Sequence, residues 1–214
     1  MPETKDAART KAMAAVQSIF DRHMFLPEPE FPANGTLCRY RILASKRPKH
    51  HVDFDRQVME AIKLIDAGPE GSVLFELLID EKYSNLNDVM HGGAAGVIFD
   101  MSTTTALGPL QKPGYWLFLA GVTRSLNISY LRAVPIGTTV RLRSWVVQHG
   151  RTMAMIRGEM TSLDGKTVYC TAEHHKVNIP MKPEHTGARL PWDDEMEREL
   201  REEAEQKVKS AAKL

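Results

Sequence analysis

Cysteine is scarce: Cys38 and Cys170 are the only two in 214 residues. Without C-x-x-C spacing, neither a disulfide framework nor a zinc knuckle is expected, and with no secretory signal a reducing compartment is the default. An excess of one charge is also missing, since 28 Lys and Arg face 27 Asp and Glu; nothing global asks for nucleic acid. No apolar run approaches the roughly 20 residues of a membrane helix without a glycine, proline or charge inside it. The opening MPETKDAARTKAMAAV carries Glu3 and Asp6 and lacks an apolar stretch, which argues against a signal peptide. What remains, 43% hydrophobic and 26% charged residues, is ordinary for a soluble globular chain able to bury a core. One domain with appended segments is expected.

Residues 3–22 read as a peripheral amphipathic helix with Ala12, Val16, Ile19 and Phe20 on one side. The stretch FLPEPEFPANG (25–35) is too rich in proline for a helix and reads as a strap, and TLCRYRILAS (36–45) as an edge strand. The pattern from Asp53 to Ile65, capped by Asp53 or Asp55, predicts a second helix. A strand at 73–80 and a long helix at 89–107 follow, then β-rich runs at 116–131, 138–148, 152–162 and 167–178, with Asp164-Gly165 as a hairpin turn. These four runs are expected to pair consecutively as a meander. Residues 192–213 read as a charged helix or tail. The order gives an α+β class in which a sheet covers the long helix, divided as an extension (1–70), a core domain (71–180) and a tail (181–214). The last three residues, Ala212-Lys213-Leu214, resemble a peroxisomal address read by an import receptor, so a peroxisomal location is expected, otherwise cytoplasmic or mitochondrial.

The chemistry concentrates in NLNDVMHGGAAGVIFD (85–100). From Val89 to Leu107 the ionisable residues are His91 and Asp100 alone, in a segment apolar or small on every side, so the helix reads as buried and its carboxylate as costly. No other acid occurs between Asp100 and Glu159, whereas Lys112, Arg124, Arg132, Arg141, Arg143, Arg151 and Arg157 do; a structural pairing of Asp100 with one of these arginines is the plain alternative. Gly92-Gly93 leaves backbone N–H groups bare at a helix start, which suits an anion or a developing oxyanion. Eight helical positions span about 12 Å, so Gly92 and Asp100 cannot serve one reacting atom within a single helix. A two-fold dimer would bring them together.

These residues resemble the PaaI-like hotdog-fold acyl-CoA thioesterases, on Asn85, His91-Gly92-Gly93 and Asp100, on GVTRSLNISYLRAVPIG (121–137) and on HGRT (149–152). The resemblance covers about residues 72–178. It implies an antiparallel sheet of five strands wrapped around a long central helix, dimers or dimers of dimers, and acyl-CoA hydrolysis without a cofactor, CoA being part of the substrate. By motif position, the Gly92 N–H would bind the thioester carbonyl oxygen, Asn85 would help place the carbonyl or the water, and the partner's carboxylate at position 100 would act as base or nucleophile. Thr123 falls where the family carries a Ser or Thr that orients the water. Here Thr stands for Ser, and Arg124 replaces a small or acidic residue. Residues 1–70 have no counterpart in the family core.

His91 and Gly93 join the expected substrate site, with Arg132 and Arg151 at strand ends for the CoA phosphates. His91 reads as fixing the helix start, with a general base as the alternative. His50-His51 and His174-His175 read as surface or core histidines, not as metal ligands. Ser102 lacks a G-x-S-x-G elbow. Two rival functions stay open: an acyl-thioester dehydratase with His91 as base, and a non-catalytic acyl-CoA-binding scaffold.

Overall fold

The computed structural model describes residues 4–24, 54–112, 115–116, 121–179 and 191–211. The expected strap at 25–35, the strand at 36–45, His50-His51 and Ala212-Lys213-Leu214 lie outside the described residues. In chain order come α1 (Lys5–Met24), α2 (Arg56–Ala61), β1 (Lys63–Gly68), β2 (Ser72–Ile79), α3 (Gly92–Thr105), β3 (Val122–Tyr130), β4 (Thr138–His149), β5 (Met153–Ser162), β6 (Val168–Val177) and α4 (Pro191–Ala211). The strands form one six-stranded sheet in the order β1-β2-β4-β5-β6-β3, antiparallel at every pairing.

The sheet's inner face follows from alternation, because successive strand side chains point to opposite faces. Val73, Phe75, Leu77 and Ile79 of β2, Val140 and Leu142 of β4, Ile156 and Met160 of β5, and Cys170 and Ala172 of β6 are buried. They close on α3, which touches β2 through β6 and contributes Ala95, Ile98, Phe99 and Met101. The approach is tight. A Cβ at Gly158 of β5 would come within 2.9 Å of the Phe99 ring, so glycine there lets helix and sheet meet.

Three expectations change. The helix predicted over 53–65 ends at Ala61, and β1 begins at Lys63; an apolar run of this length fits either period, and the free edge of β2 supplies the pairing that decides it. Asp55 occupies the helix start without a side-chain cap bond. The meander holds for β4, β5 and β6, but β3 pairs with β6 at the far edge. The connection 131–137 carries the chain back past the start of α3, where Met90 N–H donates to Val134 O and Gly137 N–H to Ile79 O. Finally, α1 is not peripheral. Val16, Ile19 and Phe20 are buried, and Phe20 meets Phe75 of β2 with ring centres 5.6 Å apart.

Candidate active site

Asp100 sits in the middle of α3 with its side chain 42% exposed. The expected burial is therefore not found in the single chain. The sheet covers the side of the helix that carries Ala95, Phe99 and Thr103, whereas Gly92, Gly96 and Asp100 follow one another at i, i+4 and i+8 along another face. Gly96 has open space where a Cβ would stand. No arginine reaches Asp100 among the described residues. Its polar neighbours are Thr123 at the start of β3, whose hydroxyl donates to Oδ1 at 2.7 Å, and His174 of β6, whose Nε2 lies 3.5 Å from the same oxygen.

His174 is fully buried and bonded at both ring nitrogens. Nε2 is 2.9 Å from Thr123 Oγ1, and Nδ1 is 2.6 Å from Thr103 Oγ1. A hydroxyl has one proton to give. With the Thr123 proton directed at Asp100, His174 must donate from Nε2, which makes Nδ1 the acceptor of the Thr103 proton. The neutral Nε2–H tautomer satisfies the whole chain Thr103–His174–Thr123–Asp100. In the other neutral tautomer, Thr103 turns to the Phe99 carbonyl, 2.5 Å away, and Thr123 turns from Asp100 to Nε2. Burial pushes the imidazole down to about 4, helped by Lys176 and opposed by Asp100.

Lys176 is the next inward position of β6 and is 3% exposed. Its Nζ donates to Thr104 Oγ1 at 2.9 Å. Burial lowers its pKa to about 8 against the attraction of Asp100.

The start of α3 is a second cluster. His91 is the N-cap, its Nδ1 accepting the Gly93 N–H at 2.9 Å, which is the structural role expected for it. The Gly92 N–H takes part in no hydrogen bond among the described residues, while its carbonyl accepts from Tyr130 Oη at 2.8 Å. Asn85 lies in the turn ahead of the helix, where its Oδ1 accepts the Asn87 N–H at 2.8 Å; its side-chain amide stays available to donate. Beside Gly92 a cleft of about 280 Å³ is bordered by Met90, Tyr130, Arg132, Val134 and Cys170. Burial raises the Cys170 thiol to about 11, so it is an inert wall. Arg151 lies in the β4–β5 turn, where its carbonyl accepts from Asn178 Nδ2 at 3.0 Å.

The chain thus gathers Gly92, Gly93, His91 and Arg132 at one end of α3 and joins Asp100 to Thr123 further along. The helix holds the two groups apart by about 12 Å. Residue patterns pointed to neither His174 nor Lys176 as part of the site. A signal existed: Cys170 and Ala172 set the inward parity of β6, and 174 and 176 continue it.

A thioesterase-superfamily model matches residues 87–169. Mouse acyl-coenzyme A thioesterase 13 is 26% identical over 123 residues, covering 58% of this chain and 83% of the mouse protein. The crystal structure of zebrafish thioesterase superfamily member 2 superposes with a TM-score of 0.53 at 25% identity, over 64% of this chain and 91% of that one. The corresponding mouse structure gives 0.51 at 22% identity, over 64% and 90%. The helix-in-sheet architecture and the match from the turn ahead of α3 to the start of β6 agree: the chain has the hotdog fold of these structures and is similar to the thioesterase superfamily over residues 87–169.

Proposed function

We propose that this protein hydrolyses acyl-CoA thioesters to the free acid and CoA, as a dimer in which Asp100 of one chain acts on a carbonyl held at Gly92 and Asn85 of its neighbour. One observation carries the reading: a carboxylate with one oxygen engaged by Thr123 stands on the open Gly92–Gly96–Asp100 face, on the same helix as an unengaged N–H at Gly92. Neither half can catalyse acyl transfer alone. Antiparallel helices related by a two-fold axis complete two sites. The mouse relative named above as an acyl-coenzyme A thioesterase supports the substrate class.

In this scheme Asp100 Oδ2 accepts a proton from water while the water oxygen attacks the thioester carbonyl. The carbonyl becomes an oxyanion, which accepts from the Gly92 N–H and the Asn85 amide and gains from the positive end of α3. Collapse breaks the C–S bond, and the CoA thiolate takes the proton from Asp100. Arg132 beside the cleft and Arg151 in the turn supply charge for the CoA phosphates. His91 spends Nδ1 on Gly93, which counts against the dehydratase alternative.

A free-thiol assay across acyl-CoA chain lengths tests the reading. Thiol release by the wild type, lost in Asp100→Ala with acyl-CoA binding retained, supports it; no release from any acyl-CoA would make the protein a binder.

A further inference from the structure

Lys176 is a poor element of stability. Its ammonium is buried with one hydrogen-bond partner among the described residues, Thr104, and a hydrophobic side chain of the same length would avoid the desolvation. The charges around it are few. Asp100 acts on it from α3, and His174 and His175 belong to its own strand. β5 pairs with the two inward positions through Ala154 and Ile156, and β3 brings Thr123 and Leu126. Within this buried shell, whose polar groups are mostly neutral threonine hydroxyls, His174 stands 3.5 Å from Asp100 Oδ1, close enough to form an ion pair if it took a second proton. Such a pair would neutralise the carboxylate.

We infer that Lys176 is a positioning residue for the reaction: its buried ammonium keeps His174 from becoming a second cation paired with Asp100, so the carboxylate stays free to accept the water's proton. Like charges in one low-dielectric shell repel, and the imidazole is the group that yields. Burial works in the same direction, ahead of Lys176. The inference rests on Asp100 being the base of the proposed hydrolysis.

The experiment compares full-length wild type with Lys176→Met and with Lys176→Gln, which drops the charge but can still donate to Thr104. Two quantities are read: the pH profile of kcat and KM for acyl-CoA, and the His174 ring by ¹⁵N NMR. The inference expects wild-type His174 to hold its Nε2–H tautomer from pH 8 to 5. In both variants its protonation midpoint should rise, and the acid limb of kcat should rise with it by on the order of one pH unit, with KM little changed. An active wild type whose variants keep both the His174 titration and the acid limb overturns the inference alone. A wild type that releases no thiol from any acyl-CoA overturns the hydrolase reading, and the catalytic sense of the inference falls with it.

Discussion

Thr123 Oγ1 donates to Asp100 Oδ1 at 2.7 Å and lies 2.9 Å from the ring of His174. The hydroxyl is the joint between an exposed carboxylate and a buried polar chain. Replacing Thr123 by Val removes the donor and leaves the His174 N–H without an acceptor. We expect kcat to fall at least about tenfold and stability to fall by roughly 1–3 kcal/mol. Thr123→Ser keeps the hydroxyl and should recover most of both. The free-thiol assay and urea unfolding measure the two effects.

Asp100→Asn is isosteric and accepts the Thr123 hydrogen bond through its amide oxygen, so the fold should be unaffected. It cannot take a proton from water. Loss of a general base typically costs about 10² to 10⁴ in rate, and kcat should drop by that amount while the affinity for a non-hydrolysable acyl-CoA analogue changes little. A variant retaining more than half of wild-type kcat would remove Asp100 from the chemistry.

Much of the architecture could be read from residue patterns, for reasons specific to each element. Asp164-Gly165 marks the β5–β6 hairpin, and Gly165 adopts the left-handed backbone (φ 73°) that such turns need. The small and apolar run after His91 predicts the helix that the sheet covers. The edge chosen by β3 was not legible, because alternation specifies a strand's faces and not its neighbours. The openness around Asp100 was also hidden: hydropathy around α3 treats glycine as filler, whereas Gly96 leaves open space one turn before the carboxylate. The pair His174-His175 reads as two histidines that point apart in a strand, without showing which of them faces the core. The strand separates them, with His174 buried and His175 on the other face beside Glu173.

The buried pair gives stability a defined pH dependence. His174 is lowered from 6.5 to about 4 in the folded chain, so between those values the unfolded chain binds a proton that the folded chain refuses. Stability present above pH 6.5 is therefore lost as pH falls towards 4, by an amount on the order of 3 kcal/mol. Lys176 is lowered from 10.5 to about 8. From pH 8 upward the folded chain sheds a proton that the unfolded chain still holds, so its contribution to stability rises towards pH 10.5. Lys176→Met should be more stable than wild type at pH 7 and should lack that alkaline rise, as chemical denaturation at a series of pH values would measure.

Complementation decides whether the two halves of the site come from different chains. Among the described residues β3 is an edge of the sheet, with Val122 and Tyr130 exposed, and it runs alongside α3 with Thr123 at Asp100 and Tyr130 at Gly92. Joining two such edges antiparallel about a two-fold axis brings the Asp100 end of one helix towards the Gly92 end of the other. Asp100→Asn and Asn85→Ala should each be nearly inactive as homodimers. Co-refolded in equal amounts, half of the dimers are mixed, and each mixed dimer holds one site with both functional residues intact. Activity should therefore recover to about a quarter of wild type per chain. If Asp100 and Asn85 served the same site from one chain, every site would carry a defect and the mixture would stay inactive.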